Sequence, residues 1–349
     1  MLKKDNISQD NPTLQNLYWP PVNYSMPSKH IKSYLTTDLT LDELLENNQD
    51  FDQVGEVINE VLSEIYAYIY GYKDSMLFQQ QDDLLEKLIL SKKIELEHYF
   101  LYNWLDLDGF SEVSFESQEQ LAVYFEKECI NSLGMHHQFF DFVADQMNKE
   151  QMTHFLKTEI CRNEYVDDEV AFLTVGLQGQ MKKVASSNLW DECGCGVLKN
   201  FHTYWLRRLM LQITSYEDFL TWRNGKPWQF SLTSNIFNCL LTNPALKLAA
   251  YGCFTTTEQW VECHFEKIIR GMQRVGLNSK DALVYFDKHK TIDPHHTYEL
   301  VEALRFQTPR LTKNEISLIY KGSQLAIKVA ILAYDRMHRF YQENQNIEQ

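Results

Sequence analysis

From residue 53 onward the sequence repeats one pattern. Apolar residues return at intervals of three and four through segments at about 53–72, 82–104, 117–131, 135–163, 167–191, 197–211, 244–272, 280–306 and 312–345. That interval follows the turn of an α-helix, whereas a half-buried strand alternates at every second residue. The breaks DLDGFSE, WRNGKPW, TNPAL, GLNSKD and QTPRLT supply the Gly, Pro, Asn and Asp that stop helices, with Asn or Asp placed to cap several of the following runs. Only 13 Gly and 8 Pro occur in 349 residues, too few for many short strands joined by turns. The pattern predicts an all-α fold, with no repeat and no low-complexity tract.

Residues 1 to about 50 are polar and carry WPPVNYSMP, which Pro and Ser keep out of regular structure. We expect an arm there. A boundary at LDLDGFSE would divide an N-terminal arm and helical extension, 1–110, from a helical core, 111–349. The formal net charge of −15 argues against nucleic acid as a partner, because tracking phosphates requires clustered Lys and Arg. MLKKDNISQDNP has no apolar run behind its lysines and does not read as a signal peptide, and no apolar run approaches the roughly 20 residues of a membrane span. Seven cysteines without framework spacing fit free thiols in a reducing compartment, so a cytoplasmic protein with no membrane partner is expected.

Against this apolar background, a few polar residues stand where core residues belong. In AAYGCFTTTEQWVECHFEKIIRGM, Glu258 lies within the stripe of Tyr251, Phe254, Val261, Phe265, Ile268 and Met272. An unpaired buried carboxylate costs several kcal/mol, so Glu258 requires a Lys or Arg from a neighbouring helix, a metal, or a strong donor network. In YFDKHKTIDPHH, His289, Asp293 and His296 follow at i, i+4 and i+7 among the apolar positions Ala282, Phe286, Leu300 and Ala303. On a regular helix they fall within a wedge of about 60° and offer nitrogen and oxygen ligands suited to iron, manganese or zinc. Pro294 opens a second reading, in which Asp293 caps a new helix with Pro294 at its first position and His289 stays on the preceding element.

A third segment, NLWDECGCGVLKNFHTYWLRRLM, sets His202 on a face with Leu198, Phe201, Trp205 and Leu209. A lone histidine there is ordinarily a satisfied core residue. Glu192 lies ten residues earlier, but Gly194 and Gly196 let the chain turn, so helical phase does not decide whether the two face one another. Cys193 and Cys195 with His202 raise a thiolate zinc site as a minor option, since no second cysteine pair stands at suitable spacing. Each feature alone has a structural explanation. Three carboxylates and three histidines on the apolar faces of three or four helices are together the composition of a di-iron carboxylate site inside a bundle.

VGLQGQMKKVASSNLWDECGCG with His202, AAYGCFTTTE and YFDKHKTIDPHH together resemble the iron-containing redox enzymes of the haem-oxygenase-like di-iron oxidase superfamily, from roughly residue 115 to the end. The resemblance implies a haem-oxygenase-like helical bundle. It assigns as metal ligands Glu192 and His202, the later Glu258, and His289, Asp293 and His296 of an H-x3-D-x2-H motif about thirty residues on. It also implies two iron ions as cofactors and O2 as co-substrate. The substrate it implies is a small amine or amino-acid-like molecule, oxidised by N-oxygenation or by oxidative carbon–carbon cleavage. The electron donor is left open, and a homodimer is an assembly open to the chain. Asp191, Tyr298 and Glu299 are candidates to hold the ligands in place, with ordinary surface roles as the alternative. Three competing classes remain: a haem-binding protein of the same fold, a non-enzymatic helical interaction module with a buried polar network, and a metal-storage or metal-sensing protein.

Overall fold

The computed structural model describes residues 29–46, 50–71, 83–110, 113 and 115–344. Among these, every regular element is a helix, as the three-and-four spacing predicts. The first four are α1 (Lys29–Thr36), α2 (Leu41–Leu45), α3 (Phe51–Ile69) and α4 (Asp83–His98), the last running on into a π-helical turn, Tyr99–Trp104. Then come α5 (Gln118–Lys127), α6 (Gln138–Asp145), α7 (Lys149–Asn163), α8 (Val166–Thr174), α9 (Gly179–Glu192) and α10 (His202–Ile213). The chain ends in α11 (Tyr216–Gly225), α12 (Leu232–Thr242), α13 (Lys247–Arg274), α14 (Lys280–Arg305) and α15 (Lys313–Glu343).

Several boundaries differ from the sequence expectation, each for a local reason. The run 135–163 is two helices because Asn148 starts α7 with a capping box, its side chain accepting from Gln151 N while Gln151 reaches back. The run 167–191 is broken by Gly176 and Gly179, both at positive φ. Helices α11 and α12 fill 212–243, which showed no clear periodicity. Ser215 caps α11 despite the nearby WRNGKPW. Of the expected arm, WPPVNYSMP lies outside the described residues, while 29–45 forms α1 and α2 and buries Tyr34, Leu35 and Leu44.

The long helix α13 is the axis of the core, packing along α14 and α15 and against α6. Its crossing with α15 is close. A Cβ on Gly252 would strike the Ile319 backbone and one on Gly322 the Ala249 backbone, so only glycine fits on either side. At that crossing Thr256 donates to Ser323 at 2.7 Å, and Tyr124 from α5 meets Ser323 at 3.0 Å. Helix α14 has α13 on one side and α9 and α10 on another, so its polar wedge faces every segment singled out above. By length and composition helix α15 is apolar enough to cross a membrane, with mean hydropathy 1.4 in its most apolar stretch, and half of that stretch is buried inside the protein, as in a core helix.

Candidate metal centre

Glu192 is the last residue of α9 and His202 the first of α10. Between them the chain reverses through Gly194, Cys195 and Gly196, at φ 54°, 52° and 80°. A Cβ on Gly194 would stand 2.5 Å from the Asn200 carbonyl carbon, so glycine is required for the approach as well as for the backbone angle. The turn sets Glu192 Oε2 2.7 Å from His202 Nδ1. Neither atom completes a hydrogen bond, although both are buried. The helical face expected from Leu198 and Phe201 does not form: both precede α10, and Leu198 is exposed.

Helix α14 is continuous through Pro294 and is capped by Ser279, which overturns the reading of Asp293 as a helix start. His289, Asp293 and His296 therefore keep their i, i+4, i+7 spacing on one face, at 5%, 2% and 1% exposure, while the intervening His295 is exposed. Glu258 reaches them from α13. Its Oε2 is 3.6 Å from His296 Nδ1, and Asp293 Oδ1 lies at the same distance from that nitrogen. No Lys or Arg pairs with Glu258 among the described residues, and its buried Oε2 has no hydrogen-bond partner.

The structure thus brings the six residues together as two triads, Glu192 with His202 and His289, and Glu258 with Asp293 and His296. Within each, one ligand atom per residue lies within 4.8 Å of the others. The triads adjoin: Glu192 feels the charge of His296, and Glu258 and Asp293 feel that of Glu192.

Hydrogen bonds at the far side of two imidazoles fix which nitrogen is free. His289 Nδ1 is 2.7 Å from the Tyr285 carbonyl, which can only accept, so Nδ1 carries the proton and Nε2 keeps its lone pair. His296 Nε2 is 3.1 Å from Asp191 Oδ2, so Nε2 keeps its proton and Nδ1, the atom that faces Glu258 and Asp293, is the one whose lone pair is freed when the imidazolium loses a proton. Of the three candidate supports, Asp191 therefore acts on a ligand. Tyr298 is exposed, and Glu299 meets His295 at 3.5 Å, away from the triads.

Charge in the site is uncompensated. Burial, with Glu258 and Glu192 nearby, pushes the Asp293 carboxyl well above its usual range, and burial pushes Glu258 up against the opposing pull of His296. Burial lowers His296, but Glu258 and Asp191 outweigh it and hold the imidazolium at about 9. His289 is driven down to about 3 by burial and the neighbouring His202. For Glu192, burial raises the carboxyl and His202 more than reverses it. Three carboxylates, three imidazoles, orphaned buried donor atoms and no basic side chain make a pocket that fits two divalent ions of the hardness of iron.

The cysteines lie apart from both triads. All seven are free. The exposed Cys195 donates to Asp191 Oδ1 at 3.3 Å, so its role is through that carboxylate rather than as a thiolate ligand.

What adjoins the centre is not marked in the sequence. Glu258 also lines a cavity of about 150 Å³ whose wall includes Glu159, Arg162, Glu169 and His264. In TEICRNEYVDDEV the charges of Glu159, Arg162 and Glu169 look like a solvated helix face, and in the fold they line the cavity together with residues of α12 and α13. His264 is a core histidine, bonded through Nε2 to the Met135 carbonyl at 2.9 Å and pushed down to about 3 by burial.

A family model described as iron-containing redox enzyme matches residues 153–330, a span that holds all six residues. No curated protein sequence matches the chain. Among solved structures, a CADD-like protein of unknown function from Nostoc punctiforme PCC 73102 is similar, at 11% identity over 66% of this chain and 96% of that one, with a TM-score of 0.48.

Proposed function

The chain belongs to the iron-containing redox enzymes, and from that premise we propose that it is a non-haem di-iron oxidoreductase that uses O2 to oxidise a small amine or amino-acid-like substrate, by N-oxygenation or oxidative carbon–carbon cleavage. One observation carries this reading: two adjoining triads of nitrogen and oxygen donors, all but Glu258 fully buried, whose charge no basic side chain among the described residues balances. Glu192, His202 and His289 would hold one iron, and Glu258, Asp293 and His296 the other. Two ferrous ions bound there would supply the electrons for reducing O2, with open positions beside the six protein ligands.

The remaining contributions come from the chain itself. The Tyr285 carbonyl and the Asp191 carboxylate each hold one imidazole in the tautomer that turns a lone pair inwards. Phe265 packs against the His289 ring and Phe286 against Phe265, keeping water from that side and strengthening every charge interaction inside. Residues 1–110 serve in this proposal as an arm and extension to the core at 111–349. A cytoplasmic setting would keep the seven thiols reduced.

A haem protein of the same fold needs one axial histidine and leaves three interior carboxylates without a purpose. Anaerobic titration of the chain with Fe(II) separates the readings: about two irons per chain and no Soret band are expected. A Soret band on reconstitution with haem, or no iron uptake, would overturn the proposal. Consumption of O2 by the loaded protein, screened over amines and amino acids, then tests turnover.

A further inference from the structure

The cavity beside Glu258 has two chemically different regions, and of the six candidate ligands only Glu258 lines it. Much of its wall is apolar, formed by Phe237, Phe254, Val261, Phe265 and Ile268. Elsewhere on the wall, Glu159, Arg162 and Glu169 come together. Arg162 donates from Nη1 to Glu169 Oε2 at 2.9 Å, so one guanidinium is set against two carboxylates and is already engaged by one of them. The Glu159 main-chain oxygen accepts from Asn163, but its carboxylate has no hydrogen bond or ion pair among the described residues. Burial pushes its carboxyl up to about 7, and Arg162 opposes this only in part. A glutamine would sit there at less cost, and a buried charge kept without a partner in a cavity is a mark of a binding site.

We propose that Glu159 receives the cationic head of the substrate, and that the cavity takes a compact alkylammonium whose hydrocarbon body lies along the apolar wall towards Glu258. The proposal rests on reading the adjoining triads as the oxidising centre. An anionic head is disfavoured, because it would have to displace Glu169 from Arg162 and would face the charge of Glu159. The size follows from the volume, since a cavity of roughly 150 Å³ accommodates a molecule about as large as benzene.

The test compares three probes of equal length, n-pentylamine, pentan-1-ol and pentanoate, by calorimetric titration into the full chain at pH 8, before and after anaerobic loading with Fe(II). The amine is expected to bind at least about tenfold more tightly than either of the others. Glu159→Gln should lose that advantage while binding pentan-1-ol as before, and should melt at a higher temperature than the unsubstituted chain. Glu159→Asp, which keeps the charge, should retain the preference and stands in if the glutamine variant does not fold. Equal binding of amine and alcohol, a preference for pentanoate, or an unchanged amine affinity in Glu159→Gln would overturn the assignment. Iron counted on the same samples keeps the two readings apart: two irons without an amine preference sinks the role of Glu159 alone, and amine preference without iron uptake sinks the metal centre alone.

Discussion

The two halves of the proposed metal centre are built from different materials. One carboxylate and two imidazoles, Glu192, His202 and His289, are gathered from three helices and depend on the left-handed turn at Gly194. Two carboxylates and one imidazole, Glu258, Asp293 and His296, come from α13 and α14 alone. The first half is close to electrical balance without a cation, since His289 is neutral and His202 holds the Glu192 charge in place. In the second, burial pushes Asp293 and Glu258 up and His296 keeps its proton to about 9. Protons there stand where a metal would. The first half is therefore organised by backbone geometry, and the second by whatever positive charge it holds.

The largest effects should come from removing one ligand in each half. Glu192→Ala and Asp293→Ala are each expected to lower the iron content from about two to about one per chain. Each should also weaken iron binding by more than the roughly 10–100-fold that loss of an outer hydrogen-bond partner costs. Chelator competition under nitrogen would measure both. Loss of both irons from either single variant would mean that the halves form as one unit, and the contrast would fail.

A pH series sharpens the contrast. His296 has a folded value of about 9 against roughly 6.5 in an unfolded chain. Such a group adds stability to the metal-free protein that is complete below about pH 6.5 and is lost as pH rises through about 9, on the order of 3 kcal/mol. His289, held at about 3, acts in the opposite sense and only below about pH 6.5, where the unfolded histidine takes up a proton first. Between about pH 7 and 9.5 the melting temperature of the metal-free chain should therefore fall, and His296→Gln should flatten that slope. With Zn(II) bound as a redox-inert probe the slope should reverse, because the ion competes with the His296 proton. Equal slopes with and without metal would contradict the unbalanced second half.

The same contrast explains what could be read before the fold was known. His289, Asp293, His296 and Glu258 stood out because each is polar on an apolar face whose phase the helix fixes. Their burial follows from the same spacing that makes the helix. Glu192 and His202 were ambiguous, since two glycines separate them and no helical phase crosses the Gly194–Gly196 turn. Pro294 pointed to a helix start, yet α14 runs through it, because packing against α9, α10 and α13 outweighs one missing hydrogen bond. Helices α1, α2 and α11 are hidden by short length or polar composition, and α12 because it is buried nearly all round and so has no polar face to set its phase. Glu159 was illegible for a different reason. Nothing in its own segment distinguishes a carboxylate facing a cavity from one facing water, and only the residues that α12 and α13 bring to the same cavity do so.

Asp191→Asn should come next in size. The carboxamide weakens the hold on His296 Nε2, and about a 10–100-fold loss of affinity is expected, confined to the second half. The first half has no equivalent weakness, because the group that orients His289 is the main-chain carbonyl of Tyr285, which no substitution removes.

The smallest effect tests how far the second half extends towards the surface. Cys195 is exposed and donates its thiol hydrogen to Asp191 Oδ1 at 3.3 Å, while Oδ2 of the same carboxylate accepts from His296. The chain of contacts thus runs from solvent through a thiol and a carboxylate to a ligand. A thiol is a weak donor, so Cys195→Ala should weaken iron binding in the second half only about two- to fivefold and leave the melting temperature nearly unchanged. Cys195→Ser, with a stronger donor at the same place, should bind iron at least as well as the unsubstituted chain. A Cys195→Ala variant that lost iron from the Glu192 triad instead would show that the left-handed turn, rather than the thiol, carries the effect, because Cys195 sits at φ 52° in the segment that sets Glu192 against His202.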